Sequence, residues 1–306
     1  MKTCRFPVVV LLVVLVAPQA AWAAACCMSA AVFGVGRLKT WEELSVGTRF
    51  TYSSTVGTWD PEGLWLRNPI GYSESESRAD LFAIYRLAER WQVSALLPGL
   101  RTVRDVGAEH GAGGGLGDGQ ASVRFEPVGF GEYPLLPAIG VTATVQLPTG
   151  RRVEDSSAPL DAGATGRGAW GASLSAEVEK VFFGDYFARA DLGFTYYLPF
   201  TRSDLQQRQT YGPTVAGALS CGMTLVDVVA LGLMASYAYD APYKLDGAVI
   251  DASAAATPAV GVNLSWNIDD HWTLLGAAGT AIFASRVGMN RPGRLSAGLG
   301  LRYGYF

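Results

Sequence analysis

The segment Tyr186-Phe187-Ala188-Arg189-Ala190-Asp191-Leu192-Gly193-Phe194-Thr195-Tyr196-Tyr197-Leu198 decides the fold. Its even positions (Tyr186, Ala188, Ala190, Leu192, Phe194, Tyr196 and Leu198) are apolar, whereas the facing set includes Arg189, Asp191, Gly193 and Thr195. Successive side chains of a strand point to opposite faces, so a period of two gives one oily face and one small, polar and charged face. A helix would scatter the same residues around its axis. The run is also more than twice the usual strand length of about 5–6 residues.

The same pattern recurs outward in both directions. In 228–240 one set is Val229, Leu231, Leu233, Ala235, Tyr237 and Tyr239, and the other is Ala230, Gly232, Met234, Ser236, Ala238 and Asp240. In 135–147, Leu135, Ile139, Val141, Val145 and Leu147 oppose Gly140, Thr142, Thr144 and Gln146. Alternation predicts strands at 46–57, 74–87, 90–104, 118–127, 134–147, 168–182, 185–199, 211–224, 226–240, 256–268, 271–285 and 294–306. Connections alternate between short (88–89, 128–133, 183–184, near Val226, 269–270) and long (58–73, 105–117, 148–167, 200–210, 241–255, 286–293). An even number of long strands with short turns at one end and long loops at the other is the pattern of outer-membrane barrels. The expected fold class is therefore all-β: a transmembrane antiparallel up-and-down β-barrel of about 12 strands, over residues 46–306.

Two further observations agree. Trp91, Phe125, Tyr186, Trp266, Trp272, Tyr303 and Tyr305 fall near the short-turn end, and Trp170, Tyr196, Tyr211, Tyr237 and Tyr239 near the long-loop end. Two belts of amphipathic rings are expected at the two headgroup levels. Residues 214–239 carry one charge, Asp227, and are apolar enough to suggest a spanning helix. Their period of two, with Gly217, Gly222 and Gly232, favours strands. Lipid admits only helices and closed barrels, because backbone polar groups must be paired internally.

The N-terminus reads as a secretory signal peptide, residues 1–23: Lys2 and Arg5, an apolar run from Pro7 to Ala17, then Ala21-Trp22-Ala23. Residues 24–45 follow as a periplasmic N-terminal segment, in which 38–44 could form a plug or a short helix. Cys26 invites comparison with lipidated N-termini. Ala23-Ala24-Ala25-Cys26 lacks the large aliphatic residue that opens such a motif, so plain cleavage is expected. Cys26 and Cys27 are adjacent and poorly placed to bridge each other.

The chain carries a net charge of −3 with no basic block, so no nucleic-acid partner is expected. With the oily faces toward lipid, the inner wall holds Arg78, Asp80, Arg86, Asp118, Arg124, Glu126, Glu177, Glu179, Arg189, Asp191, Arg294 and Arg302. Arg78, Arg124, Glu177, Arg189, Asp191 and Arg302 are the candidate lumen and selectivity residues. A hydrolytic site would need a His base with a placed nucleophile or carboxylate. The two histidines, His110 and His271, belong to opposite ends of the predicted barrel. No catalytic residue, metal site or cofactor is expected.

Gly115-Leu116-Gly117-Asp118-Gly119-Gln120-Ala121-Ser122-Val123-Arg124-Phe125 and Gln146-Leu147-Pro148-Thr149-Gly150 are similar to two motifs of the phenol-degradation meta-pathway outer-membrane family, in the same order. The resemblance implies an outer-membrane barrel with a transporter role, toward hydrophobic or aromatic compounds. Gly117, Asp118, Pro148, Thr149 and Gly150 also make structural sense where strands meet loops. The terminal Leu301-Arg302-Tyr303-Gly304-Tyr305-Phe306 resembles the aromatic-ended strand taken up by the barrel assembly machinery, although Phe306 falls on the face opposite Tyr303 and Tyr305. The expected partners are thus outer-membrane lipid, that machinery and a small-molecule solute. The expected function is passive passage of small solutes. The alternatives are a structural or surface-recognition barrel with a plugged lumen and, less favoured, a hydrolase.

Overall fold

The computed structural model describes residues 36–306 except 183, 184, 203 and 227. The expected signal peptide, Cys26, Cys27, the first part of the 24–45 segment and Asp227 lie outside the described residues. The wall strands are β1 (Leu44–Trp59), β2 (Tyr72–Ala88), β3 (Trp91–Val106), β4 (Gly119–Val128), β5 (Ala138–Leu147) and β6 (Gly171–Phe182). They continue as β7 (Tyr186–Tyr197), β8 (Thr214–Val226), β9 (Val229–Asp240), β10 (Ala255–Asn267), β11 (Trp272–Ala281) and β12 (Pro292–Tyr305). Each pairs antiparallel with the next, and β12 closes on β1 from Leu44↔Tyr305 to Thr58↔Pro292. The result is a closed twelve-stranded barrel, which has no unpaired edge to expose to hydrocarbon.

Alternation sorts the faces as expected. Leu192, Leu219 and Leu299 are exposed outside, by 62%, 66% and 64%, whereas Asp80, Glu179 and Arg302 are nearly covered within. Apolar groups outside and ion pairs inside reverse the soluble arrangement and suit a hydrocarbon solvent. Trp91, Tyr186, Trp266, Trp272 and Tyr305 are exposed near the short turns, and Trp170, Tyr196, Tyr237 and Tyr239 near the long loops. Tyr211 departs from its expected belt. Its ring packs at 5.8 Å from Tyr197 and 5.4 Å from Phe200, at the mouth of the barrel.

Other strand ends shift by up to three residues and short strands occur in the 58–73, 200–210 and 241–255 connections, but three segments differ more from the predicted boundaries. Residues 105–117 form a hairpin rather than a long loop: Glu109–Leu116 pairs back onto Gly99–Val106. The glycines that read as loop are needed because another loop lies against this arm. A Cβ on Gly113 would stand 2.6 Å from the backbone of Gly163, and one on Gly111 would meet the Pro159 carbonyl. β5 starts at Ala138 rather than 134, since Pro134 and Pro137 lack ladder donors and Lys180 Nζ instead caps the Pro134 carbonyl at 2.5 Å. β11 stops at Ala281 rather than 285, because buried Trp59 donates its Nε1–H to the Ala284 carbonyl at 2.7 Å and draws that segment off the ladder.

Candidate functional site

The lumen is layered along its axis. At the short-turn end the described residues before β1 fold into the barrel. Leu38 N–H donates to Gln92 Oε1 at 3.0 Å, and Arg86 donates to the carbonyls of Lys39 (2.7 Å) and Glu42 (2.8 Å). Arg37 reaches Glu179 at 3.4 Å. Glu42 accepts from Arg302 and from the Lys39 N–H at 2.9 Å, while Arg302 Nε also donates to Ser45 Oγ at 2.6 Å. Arg37, Lys39, Glu42 and Arg302 are all nearly inaccessible. Desolvating charged groups is costly unless each is paired, and here each has a partner.

The next layer joins β4, β6 and β7. Arg124 donates to Glu126 at 2.8 Å and to Glu177; Arg189 donates to Glu177 at 2.7 Å and to Asp191 at 2.6 Å. Neighbouring strands present these residues on one inward face, since Glu177 pairs with Asp191 and Glu179 with Arg189 across β6 and β7. The space left among Gly36, Gln92, Arg124, Glu177 and Arg189 is about 30 Å³, enough for only a water or two.

Above it the lumen widens to a cavity of about 610 Å³. Its walls are unequal. β1 and β2 contribute Arg49, Arg78, Asp80 and Glu76. The inward residues of β8 to β11 are almost all small or uncharged, among them Ala216, Ala238, Asn263, Ala277 and Gly279. The cavity borders every wall strand, with its charged groups on β1 and β2 and small, uncharged ones facing it from β8 to β11.

The long-loop end is narrowed by the 148–170 connection. Asp118 sits where the 109–116 arm bends into β4 and accepts from Gly150 N–H (3.0 Å), Arg167 N–H (2.7 Å), Gly168 N–H (3.2 Å) and Gln146 Nε2 (3.0 Å). Thr149 Oγ1 donates to the Gly117 carbonyl at 2.5 Å and accepts from Gly119 N–H at 2.8 Å. Pro148 ends β5 with no donor to spare, and a Cβ on Gly150 would stand 2.7 Å from Asp118 Oδ1. With its start and end both tied to Asp118, the loop folds inward. The Leu160 carbonyl accepts from inward-facing Arg104 at 2.8 Å, and Arg167 crosses to Asp240 at 2.9 Å.

Every candidate lumen residue thus faces inward, but the structure divides them among levels. Arg302 holds the N-terminal segment; Arg124, Glu177, Arg189 and Asp191 form the narrow layer; Arg78 borders the cavity. Sequence reasoning passed over Arg49, Glu74, Glu76 and Arg104, although the same alternation marks them. Arg104 and Arg294 both bind Glu74, at 3.0 and 2.7 Å. Arg37, Lys39, Glu42 and Arg167 lie outside regular strands and carry no periodic signal. The histidines are apart in the fold. His110 contacts Asp105 at 2.6 Å on the outer hairpin, and His271 stacks on Tyr303 and Phe306 in a short turn.

No protein-family model matches the chain, and no curated protein matches it. Among solved structures it is similar to the COG4313 outer membrane channel from Pseudomonas putida F1, with 16% identity and a TM-score of 0.71 over 88% of this chain and 97% of that one. It is also similar to the beta domain of the Bordetella autotransporter Brka, with 13% identity and a TM-score of 0.51 over 86% of this chain and 100% of that one. Likeness at these identities establishes the barrel fold. The resemblance to the phenol-degradation outer-membrane family rests on the two motifs alone.

Proposed function

We propose that this chain is a gated outer-membrane channel for passive passage of small solutes, narrowed at its periplasmic end by residues 36–43 and the Arg124–Glu177–Arg189 layer. The observation that carries the reading is the cavity of about 610 Å³ inside a barrel whose exterior is apolar. A barrel serving only as a scaffold would be expected to fill its interior, as eight-stranded barrels do, whereas here the wall of β8 to β11 is kept small. The likeness to an outer membrane channel supports the same reading at the level of fold. Solutes with uncharged bodies, including the hydrophobic or aromatic compounds that the motif resemblance implies, suit that wall. The inner charges tune which solutes enter.

A second reading, a permanently plugged barrel, is favoured by one observation: the gap of about 30 Å³ at the ion-pair layer. Single-channel recording of refolded protein in planar bilayers separates the two. The channel reading expects discrete steps that Arg124→Ala and Asp191→Ala alter, in size or in open time. A correctly folded barrel that stays silent with and without these substitutions would establish the plugged reading instead.

A further inference from the structure

The mid-barrel cavity carries an arrangement that general passage does not require. Asp80 on β2 is almost wholly buried, at 1% exposure, yet two guanidinium groups converge on it from above. Arg49, its direct cross-strand partner on β1, approaches Oδ2 at 2.6 Å, and Arg78 approaches Oδ1 through Nε at 2.7 Å. Arg49 and Arg78 retain 23% and 36% of their side-chain surface, and both border the cavity. One carboxylate is therefore hidden beneath two displayed cations, leaving the cluster at one net positive charge. Arg78 spends only Nε on Asp80, so its two Nη groups remain as a fork of parallel donors. A guanidinium fork matches a carboxylate bidentately, and a partner already fixing the side chain removes part of the ordering cost.

The surroundings narrow the ligand further. Thr51, paired across the strands with Arg78, places a hydroxyl on the same inward face. Next to Thr51 come Gly298 and then Ala277, through the β1–β12 and β12–β11 pairings. This bed has neither charge nor bulk, and it gives an uncharged body somewhere to lie while its head reaches Arg78. A dianion would exceed the single positive charge, and a cation would meet two guanidinium groups.

We propose that the cavity is a binding site for small organic monocarboxylates, with Arg78 taking the carboxylate, Asp80 holding Arg78 and Arg49 in place, Arg49 supplying charge, and Ala277 and Gly298 bedding the uncharged body. The proposal rests on the channel reading only for its biological use, because binding itself needs no conduction.

The test is titration calorimetry of folded, detergent-solubilised full-length protein with benzoate, its neutral counterpart benzyl alcohol, and phenyltrimethylammonium. The expected order is benzoate well ahead of both. Arg78→Gln is expected to weaken benzoate by about tenfold or more while leaving benzyl alcohol unchanged. Ala277→Leu is expected to weaken benzoate but not acetate, because it fills the bed and spares the fork. Wild-type protein that binds benzyl alcohol as tightly as benzoate, or does not bind benzoate, overturns the proposal even if Arg78→Gln fails to fold. Retention of full benzoate affinity by a folded Arg78→Gln barrel overturns it as well. Bilayer recordings on the same samples keep the two readings apart. Benzoate binding to a silent barrel sustains the site and removes the channel, whereas conduction without carboxylate preference sustains the channel and removes the site.

Discussion

Glu42→Ala should release the N-terminal segment from the lumen without unfolding the barrel. Glu42 is 1% exposed and is the acidic partner of Arg302, which is itself 3% exposed. Removing one member of a buried pair typically costs about 3–5 kcal/mol. A unit pair 4 Å apart at an effective dielectric of about 20 gives a comparable figure of about 4 kcal/mol. The wall ladders do not pass through Glu42, so the loss falls on docking of the segment. About 4 kcal/mol shifts the docked-to-released ratio roughly a thousandfold. The remaining anchors are the Arg37–Glu179 ion pair, long at 3.4 Å, and the bonds of Leu38 to Gln92 and of Arg86 to two carbonyls, which have neutral acceptors and are worth about 0.5–3 kcal/mol each. Trypsin reports the change directly, because Arg37 and Lys39 are its sites and both are 3% exposed in the docked state. Cleavage through the released state follows its population, so a rise of up to about three orders of magnitude is expected at these bonds. The product is a heat-modifiable barrel core beginning at Thr40, identified by mass. Cleavage rates within a factor of about two of wild type, in a folded Glu42→Ala barrel, would refute the assignment of the ion pair as the clasp.

Asp118→Ala removes the acceptor for both ends of the 148–170 loop; hydrogen bonds to a charged group are worth about 1.5–3 kcal/mol each, so amide exchange at Gly150, Arg167 and Gly168 should rise by about a hundredfold or more while β6 is unchanged. Gly113→Val should push residues 159–163 away from the 109–116 arm, because its Cβ would stand 2.6 Å from the Gly163 backbone, and limited proteolysis should then cut at the loop tip. In the turn before β11, the backbone N–H of Trp272, then that of His271, holds the Asp269 carboxyl below the usual carboxylate range. Its folded value being the lower one, its contribution is present above the unfolded value of about 4 and is lost as pH falls through the folded value. An acid titration of the Trp272 amide by NMR should show this transition and should lose it in Asp269→Asn.

How much was legible depends on whether a residue's surroundings repeat along the chain. Period-two alternation is imposed by strand geometry and by the two solvents on either side of the wall, so Tyr186–Leu198 and its counterparts disclosed twelve strands and the inward face of Arg78, Arg124, Glu177, Arg189, Asp191 and Arg302. Glycine broke the reading at 109–116, since there it serves close backbone approach by a distant loop, and no local rule distinguishes that from a flexible turn. Trp59 shortened β11 through a contact and Pro137 shortened β5 through a missing donor, neither of which periodicity encodes. The sequence by itself determined a closed β-barrel with an oily exterior and charged inner positions, because those follow from local alternation and from the need to pair every backbone group in lipid. Only the tertiary structure decided which charges meet. Closure through β12 and β1 brings Arg302 to Glu42, 260 residues away. It also decided that Asp118 gathers both ends of one loop and that Arg49 and Arg78 share Asp80. These pairings join positions whose separation in sequence carries no information about their separation across a closed wall.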